Sequence, residues 1–128
     1  MNWYKTAQTE YPIAGPIVDG LQVTDNIPNT ASIRASFINY EVLNGIRELP
    51  FDDFDGPKSV FYATDDFDRS KKLEKAINQS GQIDPLIIAI DDEGPYILEG
   101  AHRFVALISL GKKTFPALVV VDKDDDLV

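Results

Sequence analysis

The chain has 128 residues, 44% of them hydrophobic, and carries 12 Lys+Arg against 21 Asp+Glu for a formal charge of −9, the size of one domain with the balance of a soluble globular protein. It has no cysteine and a single histidine, His102, which excludes disulfides, thiolate metal sites, thiol nucleophiles and any two-His metal site within one chain. The acidic balance repels nucleic-acid phosphates and anionic membranes at long range.

In chain order, the opening MNWYKTAQTEYP has no signal-peptide core, and no later apolar run reaches membrane length, so a cytoplasmic location is expected. Residues 1–30 hold three prolines (Pro12, Pro16, Pro28), Gly15, Gly20 and the aromatics Trp3, Tyr4 and Tyr11 without a period. They read as an arm with short extended pieces, draped over the domain. Ile33, Ala35 and Phe37 alternate with Arg34 and Ser36, as in a half-buried strand. Asn44-Gly45 is a turn signal, and Ile46–Pro50 reads as a second short strand stopped by its proline. Gly56-Pro57 breaks the chain before a short apolar piece, Val60–Ala63.

The pattern predicts a helix over about 66–80. Asp65, Asp66 and Asp68 sit at its positive end and Gly81 stops it, with Leu73, Ala76 and Ile77 as the buried stripe. Pro85–Ile90 is an apolar run of strand length, and Asp92-Glu93-Gly94 turns it into Tyr96–Leu98. A second helix should open at Gly100 and end before Gly111. Six of the seven residues from Phe104 to Leu110 are apolar, so this helix is expected to be buried on most sides. Phe115–Val121 is the last strand, and residues 122–128 form an acidic, solvated tail.

The chemistry-bearing segment is Glu99-Gly100-Ala101-His102-Arg103, which joins a strand directly to the buried helix. A helix start offers unpaired N–H groups and a positive dipole end. Gly100 lets a ligand approach the backbone, Arg103 can grip phosphate oxygens with a planar fork, and His102 adds a tunable donor. On the first helix, at about 100° per residue, Arg69 at 0° falls on the predicted stripe with Leu73, while Lys72 falls on its margin. If both helices start at one sheet edge, these cations converge there. Structural roles suit the same residues: His102 as a cap, Arg103 paired to one of many carboxylates, Arg69 to a first-turn aspartate. No G-x-S-x-G nucleophile elbow occurs.

The ordered series Ile46–Pro50, Ile77-Asn78-Gln79-Ser80-Gly81, Gln82–Ile87, Tyr96–Leu107, Leu110-Gly111 and Phe115–Val119 resembles the ParB/sulfiredoxin-like domain family over residues 44–121. The resemblance implies an α+β fold: a small mixed sheet, two main helices and an N-terminal arm, divided as 1–43 arm and first strand, 44–121 domain and 122–128 tail. It implies nucleotide phosphates on Gly100, His102 and Arg103, with Arg69, Lys72 and Arg47 as further contacts. It also implies Mg²⁺ with a nucleoside triphosphate, ATP or CTP. The catalytic cysteine of sulfiredoxins is Ala101 here, which removes sulfinic acid reduction by that route.

Phosphate hydrolysis, or phosphoryl transfer to a small acceptor, would need a carboxylate to orient or deprotonate the attacking group. Glu41 and Glu99 are the candidates. The clusters Asp52/Asp53/Asp55 and Asp91/Asp92/Glu93 read as solvated turns rather than metal sites, and no protein-held metal is expected. The alternatives are a non-catalytic interaction module of a larger system and, against the acidic charge and the short chain, a DNA-binding or nuclease role.

Overall fold

The computed structural model of the chain describes residues 3–27, 40–54, 67–91 and 94–122. In chain order the elements are α1 (Trp3–Glu10), β1 (Ile17–Val18), β2 (Leu21–Val23), β3 (Tyr40–Val42), β4 (Arg47–Pro50) and a 3₁₀ turn (Phe51–Phe54). They continue with α2 (Phe67–Ser80), β5 (Gln82–Ile83), β6 (Leu86–Asp91), β7 (Gly94–Glu99), α3 (Ala101–Ser109) and β8 (Thr114–Asp122). The expected strand at Ile33–Phe37, the Gly56-Pro57 break, Val60–Ala63, the caps Asp65 and Asp66, the Asp92-Glu93 turn and residues 123–128 lie outside the described residues.

The fold is α+β. The main sheet is built on β8, whose nine residues serve two edges. On one edge β6 runs parallel, from Leu86 opposite Ala117 to Ile90 opposite Val121. On the other, β3 and β4 lie end to end, both antiparallel to β8. The Asn44-Gly45 signal therefore does not reverse the chain. Five steps from Val42 to Arg47 face three from Val120 to Ala117, and Gly45, at φ +80°, takes up the surplus as a bulge. β7 folds back antiparallel on β6 and forms the far edge. A smaller sheet, in the order β1-β2-β5, ties the N-terminal segment to the body through the parallel pair of β2 and β5.

β6 is buried from Leu86 to Ile90, which explains its unbroken apolar run. Leu86, Ile88 and Ile90 share one core with Phe115, Ala117, Val119 and Val121 of β8 and with Phe104, Ala106 and Leu107 of α3. Phe51, Phe104 and Phe115 stack at its centre, with ring centroids 4.7–5.7 Å apart, the tilted and edge-on geometry that aromatic rings favour.

Two elements differ from the expectation. Residues 3–10 are helical, and Ala7 and Tyr11 are fully packed into the core. Ala7 and Tyr11 stand one turn apart, too few positions to read as a helical stripe in the sequence, and their docking into the core supports a helix too short to be stable alone. The β1–β2 hairpin turns at Asp19-Gly20, φ +46° and +82°, a two-residue turn of the type that Asp-Gly favours. On α2 the residues facing inward are Ser70, Leu73, Glu74 and Ile77, while Ala76 is exposed. At 100° per residue the buried face is thus turned by about 60° from the predicted stripe. That rotation moves Arg69 from the core face to its margin and Lys72 outward.

Candidate functional site

β7 ends at Glu99, Gly100 takes a left-handed conformation (φ +100°, ψ 25°), and α3 begins at Ala101 with no side-chain cap on its start. The first helical bond is Phe104 N–H to Gly100 C=O, 2.9 Å. The first-turn N–H groups of Ala101 and Arg103 precede that bond and have no carbonyl of the helix one turn back. A β-carbon at position 100 would lie 2.7 Å from Leu86 Cγ and 2.9 Å from Arg103 Nη2. Only glycine fits between the strand below and the guanidinium folded over the helix start.

This helix start opens into a cleft of about 660 Å³ lined by Arg69, Glu99, Gly100, Ala101, His102 and Arg103, together with Asn26, Ile27, Leu73, Asp84 and Leu98. Leu98 reaches it through a bulge. The register passes from Ile87 opposite Glu99 to Ile88 opposite Ile97, so Leu98 is the extra residue, and such bulges re-aim side chains beside sites. The Arg103 side chain is 16% exposed, and among the described residues its ion-pair partner is Asp84, which lies 3.9 Å away and is itself 41% exposed. Burial lowers the guanidinium pKa, and the charges of Asp84 and Glu99 only partly oppose that shift. The group stays protonated at neutral pH, so a positive charge is held in a dry position with an incomplete counter-charge.

Five of the residues singled out by sequence meet here: Arg69, Glu99, Gly100, His102 and Arg103. Three are placed elsewhere. Lys72 is exposed on the outward side of α2. Arg47 is 7% exposed and spends its donors on backbone carbonyls: Nε to Asn44 O at 3.0 Å, Nη1 to Tyr11 O at 3.1 Å and to Gln8 O at 3.5 Å. A cation closing the C-terminal end of α1 suits the helix dipole. Glu41 sits on β3, at the opposite edge of the main sheet from the strand that ends in Glu99. Three strand spacings, roughly 14 Å, keep the two carboxylates from serving one reacting atom. Asp52 and Asp53 lie in the 3₁₀ turn, where Asp53 accepts the Tyr11 hydroxyl at 2.8 Å.

Asp84, Asn26 and Ile27 were not visible as site residues. Asp84 could have been found, because a hairpin turning near residues 92–93 brings residues 84–86 opposite residues 99–101. Asn26 and Ile27 arrive through the β2–β5 pairing, which no local signal announces.

The model of the ParB N-terminal domain matches residues 35–128. The chain belongs to the ParB N-terminal domain family. No curated protein sequence matches it. Among solved structures, this ParB-type domain is similar to sulfiredoxin from Arabidopsis thaliana, at 27% identity and a TM-score of 0.46, over 58% of this chain and 82% of that one. It is also similar to the C-terminally truncated chromosome-partitioning protein ParB from Caulobacter crescentus, solved with CTP-gamma-S, at 25% identity and a TM-score of 0.45. That match covers 66% of this chain but 49% of the ParB chain, so the domain spans about half of that protein.

A triphosphate of this kind commonly travels with Mg²⁺, which takes one or two carboxylates and completes its shell with phosphate and water. Among the described residues no group of three His, Asp or Glu side chains is placed to hold a metal, and Asp84 is occupied by Thr24, Asn26 and Arg103. Among the described residues no helix is long and apolar enough to cross a membrane.

Proposed function

We propose that this domain binds a nucleoside triphosphate through its phosphates at the start of α3. The observation that carries the reading is the Arg103 guanidinium, folded over Gly100 at an uncapped helix start, with its charge penalised by burial and, among the described residues, its ion-pair partner Asp84 at 3.9 Å. A phosphate group would supply further negative charge, accept the fork in two-point fashion and sit at the positive end of the helix beside the first-turn N–H groups of Ala101 and Arg103. Arg69 and His102 stand in the same cleft as further donors. The cleft volume of about 660 Å³ suits a ligand larger than inorganic phosphate.

Hydrolysis or transfer to a small acceptor would rest on Glu99, the one candidate base that lines the cleft; catalysis would then be chiefly positioning and charge stabilisation. The second reading is a domain that binds nucleotide without turning it over and acts as an interaction module; it differs from the first in that Glu99 has no catalytic part.

Thermal shifts with ATP, CTP, GTP and ADP, each with and without Mg²⁺, test the binding. At a hundredfold excess over Kd the expected stabilisation is about 2.7 kcal/mol, a rise of several degrees. Arg103→Ala should remove the shift while leaving the free protein's melting temperature nearly unchanged, because a 3.9 Å pair to a half-exposed carboxylate contributes little. A nucleotide shift that survives Arg103→Ala would place the site elsewhere. Phosphorus NMR of the mixture then separates binding from turnover.

A further inference from the structure

The cleft has more to it than a phosphate grip. Beyond its cations it is lined by Leu73, Leu98, Ile27 and Asn26. Ile27 is 46% exposed, and it is the exposed large hydrophobic residue that lines the cleft, unlike Ile13, Ile17, Val42 and Ile108. An isoleucine left open at the mouth of a charged cleft gains apolar burial only when something flat and apolar lies on it.

The loop that carries it is pinned. Thr24 N–H donates to Ile83 C=O at 3.0 Å, and Thr24 Oγ1 donates to Asp84 while accepting the Asn26 N–H at 3.2 Å. Asn26 Nδ2 donates to Asp84 Oδ1 at 3.4 Å. A carboxylate can only accept, so this bond fixes the flip of the amide. Nδ2 faces Asp84, and the acceptor Oδ1 is turned away from it, with no hydrogen bond among the described residues. Asp84 also lies 3.9 Å from Arg103, so the carboxylate that pins the loop places it beside the side chain proposed to grip phosphate. The loop lies before residue 35, where the family match begins.

We propose that Asn26 and Ile27 form the wall that seats the heteroaromatic base of the nucleotide: Ile27 as the apolar platform, and Asn26 Oδ1 as an acceptor for an exocyclic amino group. The proposal rests on the nucleotide reading above. An amino-bearing base, adenine or cytosine, donates to that oxygen. Hypoxanthine or uracil, with a carbonyl oxygen at the same place, sets two acceptors against each other.

Calorimetric titration of the full chain with ATP, ITP, CTP, UTP and inorganic tripolyphosphate tests this. In the wild-type protein each amino nucleotide should bind roughly three- to tenfold more tightly than its keto counterpart, the range of one net hydrogen bond. Both should bind more tightly than tripolyphosphate. Ile27→Ser should weaken nucleotides by roughly tenfold and leave tripolyphosphate unchanged. Asn26→Ala should abolish the amino-over-keto preference. Both side chains are exposed, so the variants should fold, and a melt of the free proteins checks it. Nucleotide affinities and preferences in both variants equal to wild type would overturn the wall and leave the phosphate site standing. Failure of the wild-type protein to bind either nucleotide or tripolyphosphate would overturn the nucleotide reading, and the wall with it.

Discussion

Arg47 and Arg103 carry the same fork into opposite settings. Arg47 is surrounded by the carbonyls of Asn44, Tyr11 and Gln8, whereas Arg103 faces a cleft where, among the described residues, its one ion pair is to Asp84 at 3.9 Å. Arg47→Ala would leave buried carbonyls unpaired, at about 1–3 kcal/mol for each group left without a partner. The expected result is a loss of about 2–4 kcal/mol, read as a lower urea midpoint. Arg47→Lys should recover only part, since one ammonium cannot span the positions of Nε and Nη1. Whatever fraction remains folded should keep its nucleotide shift. A variant with a wild-type midpoint and no nucleotide shift would return Arg47 to the phosphate site. Arg103 was legible in the sequence because it follows a glycine at a helix start. Arg47 was not, because its partners are backbone groups of Tyr11 and Gln8, which carry no side-chain signature in the sequence.

The elements legible in the sequence are those whose burial is set by their own period or run. β6 is apolar throughout because both of its faces are covered, and α3 is apolar because it sits against the sheet. α1 was hidden because it is held by Ala7, Tyr11 and the Arg47 fork, contacts more than thirty residues away in the chain. The buried face of α2 was misjudged because Ala76 reads as apolar yet faces solvent, while Ser70 is buried at 4% exposure. The glycines expected at the end of α2 and the start of α3 stand there, and the two separate torsion from packing. Gly81, at φ +70°, ends α2 with open space where a β-carbon would go, whereas Gly100 meets Leu86 and Arg103 there. Gly81→Ala should therefore cost only the left-handed penalty, about 1–2 kcal/mol, and keep nucleotide binding. Gly100→Ala adds a clash with a buried leucine and displaces the guanidinium, so it should lower stability further and abolish the nucleotide shift. Parallel urea melts and titrations check the pair; equal losses in both variants would mean that Gly100 serves the turn alone.

At the scale of the whole molecule, the N-terminal segment is bound to the body by charge-sensitive as well as apolar contacts. Tyr11, 2% exposed, closes α1 against the core and donates its hydroxyl to Asp53 in the 3₁₀ turn at 2.8 Å. Burial pushes the phenol pKa well up, and the hydrogen bond to Asp53 and the negative charges of Asp53 and Glu10 push it further in the same direction. Below pH 10 the phenol is neutral in both states, and the raised pKa has no effect on stability. Above about pH 10 the unfolded chain releases this proton while the folded chain retains it. The native state then binds more protons than the unfolded one, and stability falls by about 1.4 kcal/mol per pH unit. Tyr11→Phe removes this slope and also removes one hydrogen bond to an exposed carboxylate, worth about 1 kcal/mol. The wild-type protein should therefore be the more stable of the two at pH 8, and its advantage should vanish near pH 11. The remaining tyrosines and the lysines titrate in both proteins and cancel in the difference. Urea midpoints of the two proteins at pH 8, 9, 10 and 11 measure it. A difference that stays constant across that range would mean that the Tyr11 hydroxyl is wet, and that α1 does not seal this side of the core.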